Sequence, residues 1–283
     1  MRRMIETVVF AATVAWGVAS TGVAHAADAS RSGGGVPAAT LAKLRSTDLA
    51  QVRAGLDDAR LSGPRAAMAV PAILALLRSG LPYPLAEAAI DTLGDIGAPD
   101  AASTFVEYAE HRDVNVRRAA IRALAKTTSR AGVPIAAAAL RAALSDPDAK
   151  VRATAATGLG SLKAKAAVPD LFLALDHHVY EAAVSLGELC VVADCEALVG
   201  RLGRIPFDVA TTGIEPVLFR PSGEISDDVK VAIVAKLRAL GTHDANKFLR
   251  AVQGRWPKGT SPKVKQEIDA SVQATMASPG GDS

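Results

Sequence analysis

Apolar residues recur along the chain with the spacing of one helix face. Counting back three, four and eight positions from Leu93 gives Ile90, Ala89 and Leu85; from Leu124, Ile121, Ala120 and Val116; from Leu159, Ala156, Ala155 and Val151. Leu237 leads back to Val234, Ile233 and Val229, and Leu186 to Ala183, Ala182 and His178, the one polar exception, with Val179 beside it. These offsets trace a single stripe on an α-helix. Gly94, Gly160 and Gly187 follow the closing leucines and predict C-caps, while Pro71, Pro99, Pro134 and Pro169 fit the first turn of a second helix. The leucines stand 31, 35, 27 and 51 residues apart, so the period is about 30 with roughly 20 additional residues before the last copy. Each copy predicts a helical hairpin that cannot bury its apolar face alone, and stacking the copies creates the core.

Composition supports helices. Of 283 residues, 49% are apolar but only 4% aromatic, so the apolar content is mostly small and aliphatic, which suits closely packed helices better than a β-sandwich. Residues 1–26 are set apart from the fold: Arg2 and Arg3 precede an apolar run from Thr7 to Ser20, and Ala24-His25-Ala26 has the form of an export cleavage site. The expected product is exported, periplasmic or secreted, without stable membrane insertion after cleavage. Removing Arg2, Arg3 and Glu6 takes the formal charge from +3 to +2, which gives no concentrated basic balance for a phosphate backbone, and no nucleic-acid partner is expected. Residues 27–45 read as a flexible leader, 46–276 as the folded part and 277–283 as a disordered tail.

The segments DPDAKVRATAATGLG and AAVPDLFLAL, from Asp146 to Leu175, resemble HEAT repeats of the short bacterial type also found in phycobilin lyase subunits. The resemblance covers about Ser46 to Met276. It implies a right-handed all-α solenoid of about six hairpins, with Ser261 to Ala277 as a C-terminal capping helix. It also implies a ladder between repeats in which Asp146 and Arg152 match in type and spacing, Arg117 matches without an equally placed Asp, and Glu224 with Lys230 is a conservative variant. Ala86 and Val179 depart from the pattern.

In such a solenoid the helix carrying Val-Arg lines the concave side. Residues six and two before each closing leucine point about 180° from its apolar face. They run Glu87 and Asp91, Arg118 and Arg122, Ala153 and Thr157, Tyr180 and Val184, Val231 and Ala235. The strip changes from acidic through basic to uncharged; the uncharged part is either a recognition surface or a place where small residues let helices approach. The additional residues, about 205–226, read as an inserted loop whose apolar run Val217, Leu218 and Phe219 either binds a partner or tucks against the helices.

No catalytic constellation is legible. The four histidines beyond the export signal lack the His-Glu pairs by which HEAT-like deoxyhypusine hydroxylases hold iron, and no phosphate loop, nucleophile elbow or Cys-x-x-Cys is present. No metal and no cofactor are expected, and the chain reads as no enzyme. Cys190 and Cys195 are a reasonable disulfide in an exported protein, provided the first helix ends before Cys195; two buried thiols are the alternative. The expected function is a scaffold that binds a protein or peptide through its concave face. The alternative is a lyase-like protein handling a chromophore or other small ligand.

Overall fold

A computed structural model of the protein describes residues 37–276. The expected export signal, most of the leader and the tail from residue 277 lie outside the described residues. Within them the fold is an all-α solenoid of stacked hairpins with no sheet. The helices are α1 (Ala38–Leu44), α2 (Leu49–Ser62), α3 (Val70–Ser79), α4 (Tyr83–Ile96), α5 (Ala102–Ala109), α6 (Val114–Ala125), α7 (Gly132–Ala143) and α8 (Ala149–Ser161). They continue as α9 (Val168–Asp176), α10 (Ala182–Leu189), α11 (Val192–Val199), α12 (Phe207–Phe219), α13 (Asp227–Ala239), α14 (His243–Arg255) and α15 (Pro262–Met276).

One row of helices runs α2, α4, α6, α8, α10, α12, each packed on the next. The intervening helices close the hairpins, α5 on α6, α7 on α8 and α9 on α10. All five closing leucines are fully buried, as are Val116 and Val151 eight positions before two of them. Burying each such leucine is worth about 1.5–3 kcal/mol, so the periodic stripe supplies the cohesion. The apolar interior falls into two clusters, one from Leu44 to Leu198 and one from Cys190 to Val272, with Ile205 packed against both. Aspartate starts three of the row's helices: Asp48, Asp113 and Asp148 accept hydrogen bonds from Ala50, from Asn115 and Val116, and from Val151.

Several expectations are corrected. The leader does not stay unstructured to residue 45, because α1 begins at Ala38 and buries Thr40 and Leu44. Gly94, Gly160 and Gly187 are not caps but lie inside α4, α8 and α10, where each meets the next helix of the row; α4 ends instead on Gly97 at φ +73°. Pro99 stands in the turn before α5 rather than in its first helical turn. The inserted loop is the helix α12. Pro206 fixes its N-cap, and Ala210, Thr211, Ile214, Val217 and Leu218 form a buried stripe at helical spacing despite the interior Pro216. This helix, not α13, takes the place beside α10, and α13 packs on α15. The expected capping helix is α15, from Pro262 to Met276.

Candidate functional site

The charges of the strip are paired across neighbouring helices. Arg122 on α6 grips Asp91 on α4, with Nη2 to Oδ2 2.9 Å and Nε to Oδ1 3.2 Å, and stands 3.7 Å from Glu87. Arg118 donates to Asp148 through Nε at 2.9 Å and Nη2 at 2.6 Å. That contact, helped by the amide of Val151, holds the Asp148 carboxyl down at about 2. Four of the expected site residues therefore bridge neighbouring helices. Tyr180 stands just before α10, its hydroxyl 3.2 Å from Nδ1 of His178, and Val184 is exposed nearby. Along the uncharged part, helices approach through small residues: a methyl on Gly158 would reach within 2.8 Å of the Ala125 Cβ, and one on Gly160 within 2.9 Å of the Ser185 Cβ.

The ladder joins neighbouring repeats through Arg117 and Asp146. Asp146 takes a bidentate contact from Arg117 of the preceding repeat, Nε to Oδ2 2.9 Å and Nη2 to Oδ1 3.1 Å. Arg152 of its own repeat reaches only its main-chain oxygen, at 2.8 Å. Cys190 and Cys195 form a disulfide with Cα atoms 5.3 Å apart. The chain turns at Cys190 and Val191 between α10 and α11, so two residues five apart can face each other although Cys195 is itself helical.

The expected binding run is redistributed. Val217 and Leu218 are fully buried, whereas Phe219 packs against Trp256 with ring centroids 5.4 Å apart and ring planes tilted by 37°. These two rings wall a cleft of about 390 Å³ between the end of α12, the start of α13, the end of α14 and the turn before α15. Leu218, Arg220, Pro221, Ser222, Pro257, Thr260 and Ser261 complete the wall. At its base is Lys230, a charged residue only 2% exposed. Its Nζ donates to the carbonyl oxygen of Arg220, its one hydrogen bond among the described residues. Burial pushes its pKa below the ordinary lysine value, with nearby Asp227 opposing.

Beside it, Ser222 and Ser261 both donate to Oδ1 of Asp227, at 2.6 and 2.8 Å, and hold that carboxyl below its usual range. Ser261 is kept at φ +40°, in the left-handed region that a non-glycine residue enters only under local constraint. The arrangement combines two tilted aromatic rings, a buried ammonium with donor capacity left over, and hydroxyl oxygens at the rim, the usual composition of a small-molecule pocket. Sequence reasoning missed it because its residues come from three separate segments between Phe219 and Ser261. The signals present were Trp256, the sole tryptophan of the described residues, and lysine standing where the ladder carries arginine.

A model of HEAT repeats matches residues 70–144 and 137–215, half of the chain. No curated protein matches. Among solved structures, the chain is similar to the complex of CpcE and CpcF of phycocyanin lyase from Nostoc sp. PCC7120, at 20% identity over 83% of this chain and 93% of that one, with a TM-score of 0.45. Two engineered proteins match at 15% identity and a TM-score of 0.40, one over 84% of this chain and 95% of its own, the other over 85% and 68%. At these identities the likeness is one of fold. The expectation that the chain is no enzyme is corrected: the absence of a catalytic motif does not establish the absence of an activity.

Proposed function

Because the chain belongs to the HEAT-repeat family, whose hairpins stack into a scaffold, we propose that it is a lyase-like protein that handles a small ligand at the C-terminal end of that scaffold. The ligand has an apolar, ring-bearing body and a carboxylate. One observation carries the reading: Lys230 is buried at the base of a cleft walled by Phe219 and Trp256, and its one hydrogen-bond partner among the described residues is a neutral carbonyl, with the Asp227 carboxylate nearby but engaged by two serines. A buried ammonium is strongly stabilised by an anionic acceptor, which also restores its lowered pKa. The rings bury the apolar body, and the oxygens of Ser222 and Ser261, whose protons are directed to Asp227, accept from a ligand donor. Native mass spectrometry of the protein purified from its host tests this. A small molecule retained by the wild type and lost in Lys230→Met supports the reading; no retained mass, or equal retention in the variant, refutes it.

A second reading, a protein or peptide held along the row of helices, rests on Val184, which is exposed beside Tyr180 on an otherwise small-residue surface. It predicts that Tyr180→Ala weakens partner binding while the cleft is unaffected. Export is part of the proposal, since a disulfide persists in oxidising compartments. N-terminal sequencing of protein from its host should begin at Ala27; Met1 on the folded protein would contradict it.

A further inference from the structure

Two successive turns of the solenoid have the same length and different chemistry. After α7 the chain runs from the C-cap Leu144 through Ser145, Asp146 and Pro147 to the N-cap Asp148. After α9 it runs from the C-cap His177 through His178, Val179 and Tyr180 to the N-cap Glu181. Counted from the C-cap of the preceding helix, Val179 stands where Asp146 stands one repeat earlier, although α10 begins later than α8 relative to its closing leucine.

The arginines that face these positions are built alike. Nη1 of Arg117 donates to the carbonyl oxygens of His111 and Arg112, six and five residues upstream, at 3.1 and 3.3 Å. Nη1 of Arg152 donates to those of Asp146 and Pro147, again six and five residues upstream, at 2.8 and 3.0 Å. Each guanidinium is thus oriented by the turn that precedes its own helix. The remaining edge of Arg117, Nε and Nη2, is filled by the carboxylate of Asp146. The same edge of Arg152 has no partner among the described residues, and the next turn carries Val179 where the preceding one carries an aspartate. Arg152 and Val179 both line one cleft of about 490 Å³, together with Leu144, Leu173 and His177. The other charges there are already matched, Asp170 by Arg141 at 2.6 Å and Asp146 by Arg117. Leu173 is 60% exposed at the rim, a large apolar side chain with nothing over it.

We propose that this cleft is a docking site for a partner protein's acidic turn, an Asp or Glu side chain entering the open fork of Arg152 with an apolar neighbour resting on Leu173. The inference is independent of the ligand cleft near Lys230, which lies in the other apolar cluster. Its basis is internal. The preceding repeat shows what the fork accepts, a carboxylate held bidentately, and a planar guanidinium pre-oriented by two carbonyls recognises that shape with little further ordering. The chain's own segment Leu144 to Ala149, Leu-Ser-Asp-Pro-Asp-Ala, therefore serves as a stand-in for the occupant.

The experiment uses the full chain with nitrogen-15 in its arginines and follows the Nε–H resonances while an acetylated, amidated peptide of that sequence is added to millimolar concentration. The Arg152 resonance is assigned by its disappearance in Arg152→Lys, whose folding is checked by circular dichroism. The expected result is a saturable shift of the Arg152 signal that vanishes in high salt and is at least tenfold weaker for the peptide carrying Asn at its first Asp. That peptide comparison is made on unaltered protein, so it stands even if Arg152→Lys is destabilised. An unmoved Arg152 resonance overturns the proposal, as does an equal shift by the Asn peptide.

Discussion

Replacing Gly187 by alanine should destabilise the protein, although alanine is the better helix former. In an open helical position the exchange gains about 1 kcal/mol. Gly187 lies on α10 against Gly213 of α12, and a methyl there would stand 2.9 Å from the Gly213 carbonyl carbon and closer still to its oxygen. Real Cβ atoms do not approach other heavy atoms within 3.0 Å. The obstacle is main chain on a packed helix, so no side-chain rotation relieves it and the two helices must separate. Overpacking of this kind costs about 1–3 kcal/mol, and a rigid obstacle places it at the upper end. After the propensity gain, the net loss is about 2 kcal/mol, which lowers the melting temperature by about 4–8 °C for a chain of this size. The matching control is Gly254→Ala on α14, where nothing lies within 4 Å of the added methyl. That variant should gain up to about 1 kcal/mol, reduced by its place near the helix end. Thermal and urea unfolding of both variants beside the wild type give the sign directly. If Gly187→Ala is as stable as Gly254→Ala, α10 and α12 are not packed backbone to backbone and the stacking described above is wrong at that joint.

The Cys190–Cys195 bond closes a short ring, so reducing it, or replacing both cysteines with serine, should lower stability by about 2 kcal/mol without loss of helix; an unchanged urea midpoint would contradict this. The Asp148 carboxyl, held at about 2 against an ordinary 3.8, binds fewer protons folded than unfolded between those values. Its contribution is therefore complete above about pH 4 and is lost as the pH falls towards 2. Arg118→Met removes the main cause, so acid unfolding should start from a lower stability and show a shallower dependence in that window; an identical acid limb in the variant would show that the pair is not coupled to folding. Leu124→Ala, at a fully buried closing position, should cost about 2–5 kcal/mol, and a loss below about 1 kcal/mol would place Leu124 outside the core.

The repeat was legible because hydrophobic burial dictates it: a stripe at offsets of three, four and eight can be satisfied only by stacking. What glycine does within a helix was not. Gly94, Gly160 and Gly187 have the sequence context of helix ends, yet they serve contacts with the next helix of the row, and only the tertiary neighbour decides between those roles. The segment from Phe207 to Phe219 was obscured by Gly213, Pro216 and two threonines, all weak helix formers, whose propensities are outweighed by the burial of Ile214, Val217 and Leu218. The ladder could be named from Asp146 and the arginines, but not which arginine holds which carboxylate, since that depends on how one repeat is set against the next. The cleft by Lys230 is a meeting of helix ends, and periodicity says nothing about where those ends converge.

The most direct test of the ligand cleft is the fluorescence of Trp256, which lines it. In a Trp16→Phe background Trp256 is the only tryptophan, and the probes are 4-phenylbutyrate and its uncharged counterpart 4-phenylbutanol. Saturable quenching by the carboxylate is expected, at least tenfold weaker for the alcohol, lost in Lys230→Met and retained in Tyr180→Ala. Equal quenching by both probes, no response to either, or an undiminished response in Lys230→Met would contradict it.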